Sequence, residues 1–272
     1  MMRLNKFLAA CGLCARREAD TLIAQGRVKV NGKTAVLGQM LQEGDAAEVN
    51  GRTYLFSEAP HAEPEGSGQE TGMEPPVLLA FYKPRGVVCT NSTKDHAPRI
   101  ADVLHYPYRL FPIGRLDKAS EGLLLLTNQG TLAEAISKSK NLHEKEYVVH
   151  VRQPLNASFL KRMAEGVSIR LPEKDAAGRG KYVMQDAAGC LQQNRMISVR
   201  TRPCHVEKRS SHSFSIILTE GMNRQIRRMC STLGNEVTAL KRVRVMNICL
   251  GNLKPGDYRI VTGEELEELR KC

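Results

Sequence analysis

No apolar run in the 272 residues approaches the ~20 needed to span a bilayer. The opening stretch, MMRLNKFLAACGLCARREAD, carries charge on both sides of a short apolar patch, too short and interrupted for a secretory leader. No membrane partner is expected, and the expected compartment is the cytoplasm. Paired cysteine motifs are also missing. Cys11 and Cys14 form a lone C-x-x-C, while Cys89, Cys190, Cys204, Cys230, Cys249 and Cys272 are scattered. A structural zinc site needs four ligands in close pairs, so no metal is expected and the thiols read as buried and reduced. There is no glycine-rich phosphate loop and no internal repeat.

What is abundant is positive charge. Forty Lys and Arg stand against 29 Asp and Glu, a net charge of +11. A surplus of this size speaks to partners rather than fold, and nucleic acid is the leading candidate. The hydrophobic fraction, 42%, is ample for a soluble core.

Residues 2–56 read as a small unit. Leu4, Phe7 and Leu8 recur at helical spacing, and a second helix is expected over Ala15 to Gln25, stopped by Gly26. Val28-Lys29-Val30-Asn31-Gly32-Lys33 carries alternation into Asn-Gly, a hairpin signal. Further turns are expected at Gly44-Asp45 and Asn50-Gly51. Arg3, Lys6, Arg16, Arg17, Arg27, Lys29 and Lys33 crowd this unit. Charge runs are usually solvated faces, but so many cations on so small a unit also suit an RNA backbone. Residues 57–76, rich in Pro, Gly, Glu and Ser, read as a flexible linker.

From 77 to 272 the pattern is strand-rich. Buried strands are expected at Val77 to Tyr82 and Leu123 to Thr127, and further strands at Tyr147 to Val151, Ser213 to Thr219 and Val243 to Leu250. Helices are expected at Thr131 to Ser137 and Asn223 to Leu233. The elements interleave without a strict βαβ repeat, which favours an α+β fold: a mainly antiparallel mixed sheet with flanking helices. Residues 172–200 read as an insertion or irregular hairpin.

Three runs could carry chemistry. Gly114-Arg115-Leu116-Asp117-Lys118-Ala119-Ser120-Glu121-Gly122 is a charged loop leading into a buried strand. By spacing alone, such a loop is most often an ordinary surface loop. Arg224, Arg227 and Arg228 share one helix face at i, i+3 and i+4, where like charges repel and an anion should compensate. His143-Glu144-Lys145-Glu146-Tyr147 enters a strand.

GRLDKASEGLLLLTN, HEKEY and GMNRQIRRMC, in this order, resemble the motifs of the bacterial ribosomal RNA pseudouridine synthases of the RsuA/RluB/RluE/RluF group. RLNKFLAACGLCARREADTLIAQGRVKVNGK resembles the S4 RNA-binding domain that precedes the catalytic domain there, a small α/β unit. HEKEY and RVRVMNICLGNLKPGDYR look most like the RluF branch, which acts on 23S rRNA. The resemblance runs from about residue 2 to 265 and fails in the linker and in 172–200. It implies that Asp117 is the catalytic aspartate, that Tyr147 stacks on the target base, and that Arg227 pairs with the aspartate. It leaves Arg115, Arg224 and Arg228 as RNA contacts. It also implies a monomer acting on a ribosomal RNA stem-loop.

The implied chemistry breaks the N1–C1′ bond of a uridine, turns the base and rejoins it through C5. No redox change or energy input occurs, so no nucleotide or metal cofactor is expected. One carboxylate can serve as nucleophile or as support for a cation-like sugar. A non-catalytic S4-type RNA-binding protein is the chief rival reading. A glycosidic hydrolase is the other, although such enzymes use two flanking carboxylates and one is in view here.

Overall fold

The computed structural model describes residues 1–11, 13–14, 16–57, 75–89, 96–137, 142–173 and 196–271. The chain divides into two units, Met1–Pro76 and Val77–Cys272. Most of the segment expected to be a linker, and the interior of the 172–200 segment, lie outside the described residues.

In the first unit, β1 (Met2–Arg3) leads into α1 (Leu4–Ala10), which buries Leu4, Phe7 and Leu8 as the spacing predicts. Helix α2 (Arg16–Ala24) buries Ala19 and Ile23. Then follow β2 (Val28–Val30), β3 (Lys33–Thr34), β4 (Met40–Leu41), β5 (Ala46–Val49) and β6 (Arg52–Leu55). Strands β3-β2-β5-β6 form one antiparallel sheet, and β1 pairs with β4. Asn31 and Gly32 both take positive φ, 49° and 76°. That is the turn whose twist matches a two-residue hairpin, and only Gly and Asn adopt it cheaply. The Asn31 side chain also accepts from the Ala46 amide and donates to Asp45, tying the turn to the next strand. Phe7 meets Phe56 edge to face in the core.

The second unit is built on β7 (Leu78–Lys83), β8 (Phe111–Ile113), β9 (Glu121–Thr127), β10 (Lys145–Val151), β11 (Ser168–Pro172), β12 (Met196–Arg200), β13 (His205–Ser210), β14 (Ser213–Leu218), β15 (Val237–Val245), β16 (Ile248–Cys249) and β17 (Tyr258–Ile260). Its helices are α3 (Ile100–Val103), α4 (Gly130–Ser137), α5 (Ala157–Ala164), α6 (Gln225–Thr232) and α7 (Gly263–Arg270). The main sheet has nine strands, in the order β13-β14-β10-β15-β9-β7-β17, with β16 beside β15 and β8 beside β9. Its pairings are antiparallel except β9 with β15. The fold is therefore α+β on a mixed, mainly antiparallel sheet.

Both faces of this sheet are covered, which explains the unbroken apolar runs in β7 and β9. Leu78, Ala80 and Tyr82 pack with Leu123, Leu125 and Ile136 on one face. Leu79 and Phe81 pack with Leu124, Leu126, Leu104 and Leu116 on the other. Toward β14, α5 and α6 cover a separate core through Phe159, Met163, Ile226 and Met229.

Two sequence expectations are corrected. The strand expected over Val243 to Leu250 is a hairpin: β15 ends at Val245, Met246 takes φ 52°, and β16 returns along β15. Alternation alone cannot see a turn made without glycine. Helix α6 begins at Gln225 rather than Asn223, because Arg224 sits in the left-handed region at φ 52°. β11, which leads into the 172–200 segment, and β12 at its far end pair as an antiparallel ladder.

Candidate active site

The run Gly114–Ser120 joins β8 to β9. Leu116 is buried, Asp117 half-buried and Arg115 exposed. The loop is held from several sides. The Ser120 amide donates to the Asp117 carbonyl, closing a turn. The Gly86 amide donates to the Lys118 carbonyl at 2.8 Å, fixing the turn after β7 against the loop. The Leu116 amide approaches Cys89 Sγ at 3.5 Å.

Gly122, at the start of β9, takes φ 104° and pairs with Arg242 of β15 in the sheet's parallel register. A Cβ there would collide with the Arg242 backbone. This glycine allows β9 and β15 to close up just below the Asp117 loop.

Arg227 reaches the same loop from α6. One terminal nitrogen donates to the Ala119 carbonyl at 3.1 Å and to Ser120 Oγ at 3.2 Å; the other donates to the Val237 carbonyl. Two of the Arg227 bonds thus end on the loop carrying Asp117 and the third on β15, and among the described residues none ends on the Asp117 carboxylate. Burial lowers the pKa of Arg227, Arg224 and Arg85 lower it further, and Asp117 opposes them. Its Nε is buried without a partner among the described residues.

Tyr147 lies on β10 beside a bulge, opposite Arg242 of β15 and Ile216 of β14. It is half-buried and packs against two cores, including the one that holds Leu116. The acids of the preceding run are occupied: Glu144 and Glu146 both pair with Arg244. His143 is buried, and Lys145 donates to its carbonyl.

The arginines of the third run separate. Arg224 precedes the helix and is exposed. Arg228 points to β11, donating to the Arg170 carbonyl at 2.8 Å and to Asn223 through its remaining nitrogens. The expected shared face does not form, because Arg224 is outside the helix and the other two side chains diverge onto different backbone carbonyls. In the first unit Arg3, Arg16, Arg17, Arg27, Lys29 and Lys33 are exposed and Lys6 is half-buried.

Two cations escaped the sequence reading. Lys83 is fully buried at the end of β7, opposite Gly122, and donates to the Pro84 and Val87 carbonyls at 2.8 Å each. Burial lowers its pKa, and Cys89, Asp117 and Glu121 oppose that, while Arg242 adds to it. Arg242 is 3% exposed, with Nε on the Leu123 carbonyl and one terminal nitrogen lacking a partner among the described residues. β7 runs through five apolar residues into Lys83 and β15 carries Arg242 among other cations, and neither pattern marks its cation as buried. Lys83 and Arg227 both interact electrostatically with Asp117, so cations flank that carboxylate.

Comparison with known proteins places both units in known families. Residues 77–232 match the family model of RNA pseudouridylate synthases, and residues 2–46 match the S4 domain. The chain is 38% identical over 270 residues to the dual-specificity RNA pseudouridine synthase RluF of Escherichia coli K12, covering 99% of this chain and 79% of that protein. It is 33% identical over 273 residues to the ribosomal large subunit pseudouridine synthase B of Bacillus subtilis, covering 99% and 96%. A crystal structure of a pseudouridylate synthase superposes with a TM-score of 0.61 at 27% identity, covering 99% of this chain and 100% of that one. The chain belongs to the RNA pseudouridine synthase family and carries an N-terminal S4 domain.

Proposed function

We propose that this enzyme converts a specific uridine of ribosomal RNA, in a stem-loop of 23S rRNA, to pseudouridine, with Asp117 as the carboxylate that attacks or supports the sugar. The reading rests chiefly on one observation: Arg227 grips the loop of Asp117 at Ala119 and Ser120, across the Gly122–Arg242 junction. A carboxylate on a loop fixed from several sides is oriented before substrate arrives, which is where a catalytic group gains most. The relatives named for the ribosomal large subunit favour that RNA.

The residues divide the work. Asp117 faces the sugar, and Arg227 holds its loop. Tyr147, packed beside Leu116, stacks on the uracil once it has left the helix. Extrusion costs a few kcal/mol, and stacking on an aromatic ring returns ~1–3 kcal/mol. The N1–C1′ bond breaks, C5 joins C1′, the C5 proton leaves and N1 gains one, so the reaction balances without a co-reactant. Residues 2–56 hold the RNA as a separate module, 57–76 link it, and 77–272 catalyse. Arg16 and Arg17 open α2, where the helix dipole disfavours cations and a bound phosphate would offset the cost.

The test is tritium release from 5-³H-uridine 23S rRNA. Asp117→Asn should fold and bind RNA with near wild-type affinity and release no tritium. Near wild-type release would remove Asp117 from the mechanism. Binding without turnover by the wild-type chain on every ribosomal RNA would favour the non-catalytic S4 reading.

A further inference from the structure

The segment between α3 and β8 lines a pocket of about 750 Å³, with Arg99, Tyr106, Tyr108, Arg109, Cys89 and Leu126 among the lining residues. Tyr106 meets Tyr108 and Tyr258 edge to face, each at 5.7 Å between centroids. Among the described residues, none of the three phenol hydroxyls forms a hydrogen bond. The two cations differ. Arg99 is spent on Asp102 through a bidentate ion pair. Arg109 is exposed and pairs with no carboxylate among the described residues; its guanidinium lies 5.8 Å from the Phe111 ring centroid.

This pocket is outside the proposed catalytic residues but physically joined to them. Cys89, one of its lining residues, receives the Leu116 amide, one residue before Asp117. Leu104, Ile100 and Tyr106 share one apolar cluster with Leu116 and Tyr147, so the pocket's lining packs on the same sheet face as the residue before Asp117. Tyr258 pairs across from Phe81, two positions before Lys83.

We propose that the pocket is a second RNA subsite, taking an unpaired base of the same RNA beside the target uridine. Partly exposed aromatic rings with one unpaired cation at the rim are what a single-stranded base and its phosphate recognise, through stacking and charge. A duplex would not enter, because a paired base offers no free face. The inference rests on the proposed action on ribosomal RNA, but it predicts a contact that can be read without turnover.

The experiment uses the full chain and a 23S rRNA transcript. Tyr108→Ala should raise KM about tenfold, equivalent to about 1.4 kcal/mol, while kcat at saturating RNA stays within about twofold of wild type. Tyr108→Phe keeps the ring and should keep the KM. Arg109→Ala, at an exposed position, serves as a second variant if Tyr108→Ala melts early. Irradiating a 4-thiouridine transcript bound to the wild-type chain should join a peptide within 99–110 to a nucleotide other than the modified one. KM values for Tyr108→Ala and Arg109→Ala that both match wild type, or cross-links confined to other peptides, overturn the subsite. A wild-type chain that cross-links through 99–110 but releases no tritium supports the subsite and sinks the pseudouridine assignment on that RNA.

Discussion

Replacing Gly122 with alanine should be the most damaging single-methyl change in the catalytic unit. The added Cβ would meet the Arg242 carbonyl oxygen, amide nitrogen and carbonyl carbon, all backbone atoms that cannot swing aside. At φ 104° the backbone also lies where residues with a side chain are strained. The strain costs about 1–3 kcal/mol, and overpacking adds about 1–3 kcal/mol. A combined loss near 3 kcal/mol lowers the Tm of a unit this size by about 6–12 °C. The assay is thermal unfolding by circular dichroism, following the catalytic-unit transition, together with tritium release at a temperature where both proteins remain folded. Turnover should fall as well, because spreading β9 from β15 shifts Ala119 and Ser120, and with them the Asp117 loop, away from Arg227. A Gly122→Ala protein that melts within about 1 °C of wild type and turns over normally would refute the close-approach argument.

Other outcomes follow from the same geometry. Arg228→Ala should cost about 1–2 kcal/mol of stability and about 2–8 °C of Tm while leaving filter-binding affinity for RNA nearly unchanged, because its donors end on Arg170 and Asn223; a large loss of affinity with an unchanged Tm would reverse that assignment. Burial pushes the Cys230 thiol up from 9.0 to about 12. The unfolded chain therefore ionises first, and the stability contributed below pH 9 is lost as pH rises toward 12, at up to about 1.4 kcal/mol per pH unit. Urea melts at pH 8 and 10.5 should fall less steeply in Cys230→Ala, and parallel losses in both proteins would count against it. Deleting residues 1–56 should weaken RNA binding more than it slows turnover at saturating RNA, and equal modification of full-length RNA by the truncated chain would contradict the module's role.

Local features were legible from the sequence wherever local physics decides them. The Leu4, Phe7, Leu8 stripe and the Asn31-Gly32 turn need only neighbouring residues to explain them, and both are present. The apolar runs of β7 and β9 announced a sheet buried on both faces. The hairpin at Met246 was not legible, since its turn lacks the usual Asn-Gly or Gly and the alternation runs straight through it. The Arg224, Arg227 and Arg228 pattern misled for a different reason. Helical spacing assumes all three are in the helix, and the left-handed Arg224 is not. Lys83 and Arg242 were invisible because what accommodates them is a set of carbonyls, Val87 and Leu123 among them, that only the folded chain supplies.

The grip of Arg227 on Ala119 joins residues 108 positions apart in the chain. Loop closure over such a distance comes late in folding, after nearer contacts have formed. A nascent chain can complete its S4 unit, and β7 with β9, well before α6 has been synthesised. Such a chain has its S4 unit but lacks the Arg227 contacts that hold the Asp117 loop. The Asp117 loop thus reaches its final form only once the chain through α6 is present, so its geometry depends on nearly the whole second unit.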